Sequence, residues 1–387
     1  MKRQQISLIC TLIVLLASGL AGCSALPAAN PDIDASLVNV APPSTEGYQR
    51  AVPGQPLVFP EDHGPHPEYL TEWWYYTGNL ADNAGNRFGY QLTFFRRALQ
   101  PPGEAIQRPS KWAADQAYMA HFAITDASQD RHQAAQKLAR GAAGLAGAQG
   151  VPFQVWLEDW QVQELSPGVY ALQASIDGSA VNLRLQDKKG PVLHGDQGYS
   201  QKGPEPGNAS YYYSLTDLAT TGEIQVDGKT YTVQGSSWMD HEFSTSALSP
   251  GQVGWDWFSV QLNDGRQLMF YQMRRADGSV DPYSSGTLVN PDGSTRHLTL
   301  DDFHIQVEDT WKSPVSGGVY PSRWQVSLPG EDLVLNITPL VHDQELNLTY
   351  NYWEGAVRID AISQSQPVQG YGYVELTGYA GSMSGEF

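Results

Sequence analysis

Aromatic and β-branched residues alternating with polar ones, in short runs broken by Asn, Asp and Gly, constrain this chain more than any other feature. The runs "EWWYYTGNL" (72–80) and "RFGYQLTFFRR" (87–97) are joined by "ADNAGN", in which Asp82, Asn83, Gly85 and Asn86 are turn residues, so the pair predicts a β-hairpin. Further strands are expected at "AYMAHFAIT", "FQVWLEDWQVQEL", "VYALQASI", "GEIQVDGKTYTVQGSSWM", "RWQVSLP", "DLVLNITPL" and "GAVRIDAIS", with turns at Asp227, Asp264 and Asp292. One stretch, "DRHQAAQKLARGAAGLAGA", leans towards helix, and its glycines predict a loop with a helical turn. Many short strands at regular spacing imply an all-β protein of barrels or sandwiches. With 387 residues, 41% of them hydrophobic and 11% aromatic, the chain exceeds one barrel, and two β-barrel or sandwich domains packed side by side are expected. Their boundaries are placed at 56–246 and 247–387, where "STSALSPGQVG" collects Ser, Pro and Gly.

The first residues predict an export signal. Lys2 and Arg3 precede an apolar run from Ile6 to Leu20 that ends in Leu20-Ala21-Gly22-Cys23, a lipoprotein cleavage box. Residues 1–22 are thus expected to leave as a signal peptide, and Cys23 to be acylated and anchor the chain to a membrane. Ser24 in place of Asp after the Cys points to the outer membrane, on its periplasmic side, with the inner membrane as the alternative. Residues 23–55, rich in Pro, Ala and Ser, read as a disordered tether. Cys10 leaves with the signal and Cys23 carries lipid, so the folded body has no thiol for a disulfide, a zinc site or a nucleophile. After loss of Lys2 and Arg3, 21 basic residues face 41 acidic ones, which argues against a nucleic-acid partner.

The stretch "SSWMDHEFS" (236–244) sets Asp240, His241 and Glu242 among Trp238, Met239 and Phe243. On a strand starting near Lys229, Trp238, Asp240 and Glu242 share one face, and Met239, His241 and Phe243 the other. Two carboxylates two residues apart repel, and burial raises both, so a protonated Asp240 would be a general acid with Glu242 and His241 beside it. The competing reading is a buried ion pair to Arg96 or Arg97. Trp73, Trp74 and Tyr76, together with Trp255 and Trp257, are candidates for an aromatic ligand cleft, with His121 as a polar partner. His63, His66, His121 and His241 have no spacing diagnostic of a metal, and neither metal nor cofactor is expected. No Gly-x-Ser-x-Gly elbow or phosphate-cradling loop is present.

"HPEYLTEWWYYTGNL", "FGYQLTFFR", "AHFAITD", "SWMDHEFS" and "GWDWFSVQLNDGRQLMFYQMRR" together resemble the AttH-like family, the lipocalin-like relatives of carotenoid 1,2-hydratase (hydroxyneurosporene synthase). The likeness extends to "GYGYVELTGY" at 370–379. It implies two lipocalin-like barrels side by side with an apolar cleft bordered by these motifs. The hydratase branch adds water to a terminal double bond of an acyclic carotenoid without cofactor, and carries its acid in a Tyr-x-Asp stretch. The matching positions here are Trp238-Met239-Asp240, so Asp240 inherits the acid role and Trp238 stands where that branch has Tyr. Three functions follow as expectations: binding of a hydrophobic small molecule, ranked first; a hydratase, lyase or isomerase using Asp240; and an accessory subunit of an ABC-type permease, which the AttH resemblance suggests.

Overall fold

In the computed structural model, residues 45–103, 110, 113–246 and 248–383 are described. The expected signal peptide and Cys23 lie outside them. Strands β1 (Thr71–Asp82), β2 (Arg87–Ala98), β3 (Gln116–Asp126), β4 (Arg131–Arg140), β5 (Ala146–Gln149), β6 (Gln154–Leu157), β7 (Trp160–Ser166), β8 (Val169–Ile176), β9 (Ser179–Asp187), β10 (Pro191–Leu193), β11 (Tyr199–Gln201), β12 (Ala209–Val226) and β13 (Lys229–Ser244) make one antiparallel sheet. The chain then enters a second sheet of β14 (Gln252–Leu262), β15 (Gln267–Arg275), β16 (Ser285–Val289), β17 (Thr295–Thr299), β18 (His304–Lys312), β19 (Val319–Leu328), β20 (Leu333–Pro339), β21 (Glu345–Asn347), β22 (Asn351–Ser363) and β23 (Gln366–Leu376). In the middle of each curled sheet the strand that comes first in the chain pairs with the one that comes last, β1 with β13 and β14 with β23. Both are barrel-like, and the all-β expectation is met.

Local turn chemistry accounts for the hairpins. The carboxylate of Asp82 accepts the backbone N–H groups of Ala84 and Asn86, which closes the β1–β2 turn. Between β12 and β13 only Asp227 and Gly228 remain, both at positive φ (51° and 78°), the geometry of a two-residue turn whose twist matches the flanking strands. The helix-leaning segment is instead β4 and β5. Its alanines prefer helix in isolation, but β4 pairs with β3 and β5 with β6, and Ala135 and Ala139 pack on the first barrel's core. Residues 45–55, assigned to the tether by composition, lie against the first barrel. Ala51 is fully buried, and Val52 exchanges hydrogen bonds with the Tyr211 hydroxyl at 3.1 and 3.0 Å.

Each barrel has its own core. Trp74, Tyr76, Phe122, Trp160 and Met239 fill the first, and Phe258, Trp324 and Trp353 the second. A third apolar cluster, including Tyr75, Tyr212, Trp238, Trp257 and Met273, joins the outer faces of β1, β12 and β13 to those of β14, β15, β22 and β23. Polar clamps complete the joint. The Gln261 amide donates to the carbonyls of Thr216 and Ser237, Asn79 to that of Gly372, and the Lys189 ammonium to the carbonyls of Gly265 and Asn290.

Candidate active site

Period-two alternation puts one set of side chains into the first barrel and the other into the joint. On β13, Met239 joins the barrel core while Asp240 and Glu242 open on a cavity of about 160 Å³ between the barrels. Trp73, Tyr75, Thr93, Phe95, Met119 and His121 wall it from the first barrel. Trp255, Trp257, Tyr271, Met273, Tyr352 and Glu375 wall it from the second.

Asp240 is 4% exposed and accepts three hydrogen bonds: from Trp238 Nε1 at 2.5 Å and the Ser214 hydroxyl on Oδ1, and from the Tyr212 hydroxyl at 2.7 Å on Oδ2. Tyr212 is itself held by Trp257 Nε1 at 2.9 Å. Ser214 meets His194 Nε2 at 2.6 Å, and His194 Nδ1 meets Thr287 Oγ1 of the second barrel at 2.9 Å. Burial pulls His194 down to about 3, so its ring is neutral. Ser214 donates to Asp240, so His194 Nε2 carries the proton and Nδ1 accepts from Thr287. Burial pushes the Asp240 carboxyl up, the three donors pull it back, and Glu242 adds repulsion, which leaves it at about 7. The resemblance sets Trp238 where the hydratase branch has Tyr, and here the neighbouring Tyr212 supplies a phenol to the same carboxylate.

Other members of the constellation divide by face. Glu242 pairs with Lys202 at 3.2 Å, and the Lys202 ammonium lies 4.1 Å from the Tyr271 ring centre. The expected partners Arg96 and Arg97 do not meet either carboxylate; Arg96 is spent on Glu72 at 2.6 Å in the first barrel. His121 lines the cavity, with Nδ1 against the Tyr352 hydroxyl at 2.7 Å and Nε2 without a hydrogen-bond partner. Burial pulls it down to about 3. Trp74 and Tyr76 point away from the cleft into the barrel core, where Trp74 donates to the His63 carbonyl at 3.0 Å, whereas Tyr75 takes the cleft position beside Trp73. Trp238 stands behind Asp240, edge-on to Trp257 at 6.4 Å. His241 also leaves the acid group. It stacks on Trp74 at 4.9 Å, and its Nε2 meets Glu72 Oε1 at 2.8 Å.

That inward face carries its own network. Glu72, fully buried, takes His66 Nδ1 at 2.7 Å, His241 Nε2 at 2.8 Å and Arg96 Nε at 2.6 Å, and Tyr213 links His241 to His63. Ligand atoms of His66, Glu72 and His241 lie within 4.8 Å of one another, close enough to hold a cation. Arg96 already supplies that positive charge, so the geometry is that of an ion-pair network. Burial opposes charge on His66, but Glu72 and Asp62 overcome it and hold its pKa at about 9. Burial likewise opposes charge on Glu72, and Arg96 and His66 keep it well below the ordinary carboxylate range.

A raised histidine stabilises the fold fully below its unfolded value of about 6.5 and loses that contribution as pH rises through about 9. Urea unfolding followed from pH 6.5 to 9.5 is expected to show a decline in stability that is smaller in His66→Gln, because Asp240 and the other raised carboxyls titrate alike in both proteins. Equal declines in the two proteins would remove His66 from the network's charge balance.

The family profile for AttH-like proteins matches residues 50–379. The chain belongs to the AttH-like family. The crystal structure of an AttH protein from Nitrosomonas europaea is 37% identical, with a TM-score of 0.77 over 86% of this chain and 99% of that one. Kievitone hydratase from Nectria haematococca, 15% identical, shares the fold with a TM-score of 0.64 over 88% of this chain and 98% of its own. No curated protein matches the chain. In this AttH-like chain, sequence reasoning passed over His194, Lys202, Tyr212, Ser214 and Glu375, and it did not settle which pair of Trp73, Trp74, Tyr75 and Tyr76 meets the cleft. Glu375 lies inside the quoted "GYGYVELTGY", whereas Tyr212 and Ser214 lie in "YYYSL", the first half of β12, which the sequence analysis did not assign to a strand.

Proposed function

We propose that this AttH-like protein holds a compact hydrophobic molecule between its barrels and adds water across a carbon–carbon double bond in it, with Asp240 as the acid. The observation that carries this reading is a carboxyl with a pKa near 7 opening on a cavity whose walls are otherwise mostly apolar and aromatic. Protonating an alkene needs a neutral acid in a dry site, and the cation so formed needs electron-rich faces, which Trp255 and Trp257 offer. The volume suits a small ring system or the end of a longer chain, so an isoprenoid would enter by its terminus. A hydratase among the structural relatives agrees with the reading. Acylation of Cys23 would place this chemistry at a membrane surface, where apolar molecules partition.

Native mass spectrometry with lipid extraction on protein from its own cells tests it. Asp240→Asn is expected to retain an unsaturated molecule, and wild type the same molecule heavier by one water. An identical, unchanged molecule in both would make the protein a carrier, and empty cavities in both would end the small-molecule reading.

A further inference from the structure

Asp240 has a counterpart on the opposite wall. Glu375, on β23 of the second barrel, lines the same cavity, with Oε2 accepting Trp255 Nε1 at 2.9 Å. Trp255 and Trp257 share one face of β14, and they divide between the two acids. Trp255 binds Glu375 directly, while Trp257 binds Tyr212, which in turn binds Asp240. A single strand therefore orients two carboxyls that belong to different barrels.

The charges around Glu375 leave it short of a counterion. Asp240 and Glu242 face it from β13, and Glu354 stands opposite it in the β22–β23 register. Glu354 is fully buried beside the Tyr75 and Tyr352 hydroxyls, and burial and repulsion from Glu375 push its carboxyl well above the ordinary range. Tyr75 of β1, His121 of β3, Tyr212 of β12, Tyr271 of β15, Tyr352 of β22 and Tyr350 just before it also line the cavity, and Tyr373 of β23 packs in the same joint. Lys202 is the cation lining the cavity among the described residues, and it is engaged by Glu242. Neutrality must then come from protons shared among the carboxyls. Burial raises Glu375, the Trp255 bond restrains it, and repulsion from Asp240 and Glu242 brings it to about 7, level with Asp240.

We propose that Glu375 is a second catalytic residue, forming with Asp240 an acid–base pair across the cleft. The proposal rests on the hydration reading above. Neutral Asp240 gives its proton to one alkene carbon as the π bond breaks, leaving a cation on the other. Water oxygen bonds to that carbon, and its surplus proton passes to the Glu375 carboxylate. The product has gained H and OH, and the enzyme returns to its starting state when the proton moves from Glu375 back to Asp240 through solvent.

The test uses benzyltrimethylammonium, a permanent cation shaped like the intermediate, and its uncharged isostere neopentylbenzene. Binding to the full chain is read by tryptophan fluorescence. Cation affinity in wild type is expected to rise about tenfold from about pH 5.5 to about pH 8.5 as the pair loses protons, while the isostere shows no pH dependence. Glu375→Gln is expected to lose most of that rise and to bind the isostere unchanged, which also reports that it folds. In ¹³C-carboxyl NMR, Asp240→Asn is expected to move the Glu375 midpoint downward. A full tenfold rise in Glu375→Gln, or an unmoved midpoint, would overturn the pair and leave the apolar cleft standing. Failure of both probes to bind wild type would overturn the underlying reading as well.

Discussion

Arg96→Met is expected to lower the free energy of unfolding by about 3–5 kcal/mol, the largest stability effect of a single substitution away from the hydrophobic cores. Arg96 is 1% exposed and uses its whole guanidinium: Nε on Glu72 at 2.6 Å, Nη1 on the Gln116 side chain at 2.6 Å, and Nη2 on the carbonyls of His66 and Tyr69, both at 2.8 Å. Methionine fills similar volume but leaves the buried Glu72 carboxylate without its strongest counterion and two carbonyls without a donor. The double variant Arg96→Met/Glu72→Met is expected to recover part of the loss, because the uncompensated charge is then gone. Urea denaturation of the three proteins measures both steps. A loss below about 1 kcal/mol in the single variant would mean that His66 and His241 alone satisfy Glu72.

Asp240→Asn is expected to slow turnover of the co-purifying molecule by about 10²–10⁴-fold, the range associated with loss of a positioned general acid. Asparagine is nearly isosteric with the carboxyl. Its oxygen can still accept from Trp238 and Ser214, so packing in the joint persists and the unfolding transition should move little. The amide, however, cannot release a proton to an alkene. The Tyr212 contact reports the substitution, since a phenol that donated to Oδ2 now faces either an amide N–H₂ or a flipped oxygen. Rate measured against pH separates two cases. In wild type the rate should fall as pH rises through about 7, where Asp240 loses its proton, and in Asp240→Asn that limb should vanish. A variant as fast as wild type would assign the proton to another group and remove Asp240 from the chemistry.

Much of the architecture was readable because its determinants are local. Turn residues such as Asp82, Asp227 and Gly228 adopt their conformations from their own side chains and positive-φ tolerance, so the hairpins they close were predictable. The segment 131–149 was misread for the same reason in reverse. Its alanines carry a local preference for helix, and pairing of β4 with β3 and of β5 with β6 overrides it. In the site, the split of Trp238, Asp240 and Glu242 from Met239, His241 and Phe243 followed from strand periodicity alone. Which split member met the cleft did not: Trp74 and Tyr76 went into the barrel, and Tyr75 took their place.

The sequence by itself determined the strands, their faces and the family, because alternation and turn chemistry are properties of a few adjacent residues. The tertiary structure alone decided which face is a core and which lines the cleft. That choice depends on β1 pairing with β13, on β14 pairing with β23, and on the two barrels burying their outer faces against each other. Ser214 stands opposite Asp240 across the β12–β13 hairpin, but Glu375 reaches Asp240's surroundings only through the packing of the two barrels. The same burial removes water from carboxyls that would ionise freely on an isolated strand, and so raises Asp240 and Glu375 to where they can exchange protons near neutrality.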